Sequence, residues 1–77
     1  MQGWTRRDEF KWEHQDGSFI VCELVDSEEH YHLFNQYRRE LSNGRSLDRM
    51  QGRHEELKRD FPEVFLSPLA SGSKQIQ

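Results

Sequence analysis

The feature that most constrains this chain is the pair Asp16-Gly17, set between two arms that both suit a pleated strand. Glu9-Phe10-Lys11-Trp12-Glu13-His14 alternates polar and bulky residues with a period of two, and Ser18 to Val25 is rich in Phe, Ile and Val. Two such arms around an Asp-Gly turn predict a β-hairpin. The turn type decides which side chains share a face. A two-residue turn would oppose Trp12 to Val21 and leave each face half apolar. A type I turn with Gly17 in the left-handed region and a G1 bulge shifts the pairing by one residue. Phe10 and Trp12 then share a face with Ile20, Cys22 and Leu24, while Glu9, Lys11, Glu13 and Glu23 share the other. The bulged register gives the cleaner core and is the one expected.

Beyond the hairpin the spacing predicts two helices. Asp26 or Ser27 can accept orphan backbone N–H groups, and Glu28 and Glu29 suit the positive end of a helix dipole. His30, Leu33, Phe34, Tyr37 and Leu41 then form one apolar stripe, closed by Ser42-Asn43-Gly44. Ser46 suits the N-cap of the second helix, whose positions Leu47, Met50, His54, Leu57 and Phe61 carry the seam spacing of paired helices. Pro62 disfavours helical geometry at Phe61, so this helix should stop near Asp60. A short loop between two amphipathic helices implies an antiparallel pair. The fold expected is therefore α+β in ββαα order: a hairpin of two or three antiparallel strands followed by an antiparallel pair of α-helices.

A chain of 77 residues allows one small domain, expected over 1–66 with a flexible tail over 67–77. Only 32% of its residues are apolar, so the core is small and a partner or a weak homodimer would add stability. Leu66 and Leu69, with Val64 and Phe65, are too many apolar groups for a mere tail; this segment should fold back on the core or engage a partner. Gly52 sits inside the second helix at a cost of about 1 kcal/mol relative to alanine, either to permit close approach of another backbone or as a residue the helix simply tolerates. The longest apolar run is Phe19-Ile20-Val21-Cys22, far short of a membrane span. One cysteine fits a reducing compartment, and a cytoplasmic location is the expectation.

The chemistry-bearing residues do not form a recognised catalytic or metal-binding motif. His30 and His32 stand two apart and point in different directions on a helix, and His14 and Cys22 are not opposite each other in the bulged register. No Gly-rich phosphate loop or nucleophile elbow occurs, and Cys22 falls in a core strand where thiols are usually inert. No catalytic residue, metal or cofactor is therefore expected.

Two binding surfaces compete. Arg45, Arg49 and Arg53 recur every four residues on the side of the second helix opposite its apolar stripe, and Arg38 and Arg39 add charge to the same helical pair. That is the outline of a phosphate-contacting face. Glu56 dilutes it, and the net charge of -3 is not that of a committed nucleic-acid binder. The other candidate is apolar: Tyr31, off the stripe of the first helix, Trp4, ahead of any clear element, and Phe61, Val64, Phe65 and Leu66, clustered around Pro62. A small non-enzymatic protein that binds another protein, in a regulatory or adaptor role, is the expected function. Nucleic-acid binding through the arginine face is the alternative.

Overall fold

The computed structural model describes residues 3–66. The chain runs up and down through five antiparallel strands: β1 (Trp4–Asp8), β2 (Lys11–His14), β3 (Phe19–Val25), β4 (Glu28–Phe34) and β5 (Glu40–Gly44). They form one sheet in sequence order, followed by a single helix, α1 (Leu47–Asp60), and a 3-10 turn over Pro62–Phe65. The α+β class holds, but the ββαα order does not. There is one helix, and the segment expected to make the other makes β4 and β5.

The Asp16-Gly17 turn is built as its sequence predicts. Gly17 sits at φ +95°, its N–H donates to the His14 carbonyl, and the His14 N–H donates to the Ser18 carbonyl. The register pairs Trp12 with Ile20, not with Val21. Phe10 departs from expectation: it lies in the β1–β2 turn, 42% exposed, because the Asp8 carboxylate accepts its N–H and bends the chain there.

The missed hairpin turns on Asp26 and Ser27. Both adopt positive φ, 52° and 68°, which is the conformation that matches the twist of two strands joined by a two-residue turn. Val25 therefore opposes Glu28, and the register continues to Phe19 opposite Phe34. In that register Tyr31 and Leu33 point to the core beside Cys22 and Ile20, while Glu28, His30, His32 and Phe34 take the other face. His30 is thus not part of a helix seam.

α1 covers one face of the sheet. Ser46 caps it, its hydroxyl accepting the Arg49 N–H, and Met50, His54 and Leu57 are its buried residues. They pack on Ile20, Cys22, Tyr31 and Leu33, with Trp4, Trp12, Leu41 and Leu47 around them. Gly52 does not serve close packing, since a Cβ there would meet nothing within 4 Å. Phe61 ends the helix, and Pro62 begins the 3-10 turn. That turn carries Phe65, 3% exposed, back onto the core.

Asn35 latches the hook in place. Fully buried at the end of β4, it donates through Nδ2 to the Val64 carbonyl at 2.8 Å. Its Oδ1 accepts the N–H groups of Tyr37 and Arg39 and so shapes the β4–β5 loop. Gln36 adds a bond to the Phe65 carbonyl at 2.6 Å. Among the described residues no helix is long and apolar enough to cross a membrane. The tail expected over 67–77 lies outside the described residues.

Candidate functional site

With α1 on one side only, the opposite face of the sheet is left without a covering helix or strand among the described residues. β3 and β4 place Phe19 and Phe34 side by side on it. Their rings stack with centroids 5.0 Å apart and planes 13° from parallel. The Lys11 ammonium lies 5.0 Å from the Phe19 centroid, and Val21 continues the apolar strip along β3. A shallow groove of 640 Å³ runs here, bordered by Phe19, Val21, Phe34, His32, Arg38 and Glu40.

The charged rim of this groove is organised by His32. Its two ring nitrogens bond Glu40 at 3.0 Å and Glu23 at 3.1 Å. The Glu40 bond raises the imidazole above its ordinary pKa against the opposing effect of burial, and Glu23 adds to it. Glu40 is held below the usual carboxylate range by the same bond. On the other face burial pushes the Tyr31 phenol up to about 12, with Glu29 accepting its hydroxyl at 2.9 Å. Burial likewise raises the Cys22 thiol, with Glu29 adding to the effect, so the thiol stays protonated and unreactive near neutral pH.

A second constellation gathers where α1 crosses the Asp16-Gly17 turn. His14, at the end of β2, and His54, on α1, bring their rings to 4.3 Å, and Trp4 packs edge-on against both. Asp16 sits between them: Oδ1 accepts the Ser18 N–H at 2.8 Å, and Oδ2 faces His54 Nε2 at 3.0 Å and the Lys58 ammonium at 2.7 Å. Burial works to raise the Asp16 carboxyl, but the bonds from Lys58, Ser18 and His54 outweigh it and hold it far below the usual carboxylate range. Burial depresses His54, which is 2% exposed, and its Nδ1 has no hydrogen-bond partner.

The apolar candidates from the sequence divide. Tyr31 is a core residue at 8% exposure, because it faces inward from a strand and not outward from a helix. Phe65 is buried by the hook, Val64 is half-buried there, and Trp4 packs on the histidine pair. Only Phe61 and Leu66, at 53% and 72%, remain open to solvent.

The arginines do not form one face. Arg38 and Arg39 belong to the β4–β5 loop, where Arg38 takes a φ of +70°. Arg45 pairs with Glu28, and Arg53 pairs with Glu56 at 2.8 Å, so two of the three helix-side guanidinium groups face carboxylates. The stacked Phe19–Phe34 pair escaped sequence reasoning because it exists only in the β3–β4 register. No family model matches the chain, and no curated protein or solved structure matches it at a significant level.

Proposed function

We propose that this chain is a protein-binding module whose contact surface is the uncovered sheet face centred on Phe19 and Phe34. The stacked aromatic pair carries the proposal. Two large rings beside Val21, ringed by Lys11, Arg38, Glu23 and Glu40, have the anatomy of an interface: an apolar centre with a charged rim. The β1 edge is less suited to strand addition, since Arg6, Arg7 and Asp8 charge it and a register shift between Arg6 and Asp8 distorts it. A nucleic-acid partner on the arginine side of α1 is disfavoured by the pairing of Arg45 and Arg53 and by the net charge of -3. The premise for self-association also weakens, because a five-stranded sheet does not need a second copy to complete it.

Affinity capture from a native lysate, with and without nuclease, tests this against the nucleic-acid alternative. A protein should be retained after nuclease treatment, lost with Phe34→Ser, and still captured when Arg45, Arg49 and Arg53 are all changed to glutamine. Loss of an aromatic anchor weakens such contacts by about 2 kcal/mol or more, roughly thirtyfold. Capture that needs nucleic acid, survives Phe34→Ser and vanishes with the triple change would overturn the proposal.

A further inference from the structure

His14, Asp16 and His54 stand apart from the sheet face and have a geometry of their own. Asp16 and His54 are 38 residues apart, yet one ligand-type atom from each of the three residues lies within 4.8 Å of the other two. Tetrahedral zinc, with Zn–N and Zn–O bonds of about 2.0–2.2 Å, separates its ligand atoms by about 3.4 Å. Asp16 reaches both histidines at about that spacing, through a different oxygen for each: His14 Nδ1 to Asp16 Oδ1 is 3.2 Å, and His54 Nε2 to Asp16 Oδ2 is 3.0 Å. His14 Nδ1 accepts the Asp16 N–H at 3.2 Å, so this nitrogen is unprotonated, and a metal would take over the lone pair that now holds the amide. His54 has a second ring nitrogen buried without a partner, which can take the proton when Nε2 gives up its bond to Asp16.

A cation already sits on this carboxylate. The Lys58 ammonium touches Asp16 Oδ2 from a side chain 40% exposed, on a stem long enough to swing into solvent. Glu55 lines the same groove as His14, His54 and Lys58, and lies beside His14 in a second groove next to Gly3. We propose that His14, Asp16 and His54 form a binding site for a divalent transition metal ion of the zinc type, in which the metal displaces the Lys58 ammonium. Two imidazoles and one carboxylate from a strand end, a turn and a helix are the donor set that such an ion favours over calcium or magnesium.

Titration of the purified chain with Co2+ alone, followed by Zn2+, tests the site. The visible d–d absorption of four-coordinate Co2+ should saturate at one equivalent, with quenching of Trp4 fluorescence, and Zn2+ should bleach the absorption. His14→Gln and Asp16→Asn should each weaken binding at least tenfold. Two exposed-side controls do not depend on the fold of the cluster. Lys58→Gln removes the competing cation and should tighten binding roughly three- to tenfold. His32→Gln removes the other histidine with carboxylate neighbours and should change nothing. No absorption, absorption lost with His32→Gln, or binding that Lys58→Gln leaves unchanged or weakens would each overturn the site.

Discussion

Truncating Asn35 should loosen both the β4–β5 loop and the C-terminal hook at once. The side chain is fully buried, and its carboxamide makes three hydrogen bonds: to the Val64 carbonyl at 2.8 Å, from the Tyr37 N–H at 2.9 Å and from the Arg39 N–H at 3.0 Å. Each contributes about 0.5–1.5 kcal/mol net, and removing one partner of a buried group costs more than the bond itself. Tyr37 is 44% exposed, so water can reach part of the vacated site and limit the loss. Asn35→Ala should therefore destabilise by about 2–4 kcal/mol, a large share of what a domain this small possesses. Urea denaturation followed by tryptophan fluorescence reads this as a lower midpoint. With a slope near 1 kcal/mol/M for so short a chain, the shift is about 2 M or complete unfolding. Asn35→Asp keeps both acceptor bonds but sets a carboxylate against the Val64 carbonyl, so it should free the hook while sparing the loop. A change under about 0.5 kcal/mol in the alanine variant would refute the latch.

Three further expectations concern turns and titration. Gly17→Ala should cost about 1–2 kcal/mol in the same urea assay, because the backbone sits at φ +95° and the new Cβ would lie 2.9 Å from Gln36 Cβ; an unchanged midpoint would count against the turn geometry. Replacing Asp26-Ser27 by Asn-Gly should raise stability by about 0.5–1 kcal/mol, since Asp26 and Ser27 hold positive φ; a lower midpoint would contradict the two-residue turn. His32 is raised above its ordinary value in the folded chain, so the folded state binds the proton more tightly. Its contribution is full below about pH 6.5 and disappears as pH rises through the folded value. His54 is depressed and acts oppositely, losing stability as pH falls below about 6.5. The difference in stability between wild type and His32→Gln should thus shrink on going from acid to alkaline pH, and a constant difference would refute the His32 assignment.

The parts of this fold that sequence makes legible are those set by neighbouring residues. Gly17 declares the bulged turn, and the alternation of Trp12, Ile20 and Cys22 selects the register that follows. Ser46, Pro62 and the spacing of Met50, His54 and Leu57 mark α1 within a residue or two of its observed limits. β4 was obscured by ambiguity in period. Leu33 fits both a helical stripe with His30 and Phe34 and a strand face with Tyr31, and only the partner β3 decides between them. The β3–β4 turn carries neither glycine nor asparagine, so its positive φ values left no signal, and Asp26 read as a helix cap instead. The candidate sites were hidden for a related reason. Phe19 meets Phe34 only across that hairpin, and His54 meets Asp16 only when the helix lies over the turn.

Site-specific photocrosslinking in living cells tests the central claim most directly. A benzophenone amino acid would stand at Phe34, on the uncovered sheet face, or at Glu56, on the exposed side of α1. Protein binding through the sheet face predicts a discrete protein adduct from position 34 and none from position 56. An adduct from position 56 alone, or from neither position, would contradict it.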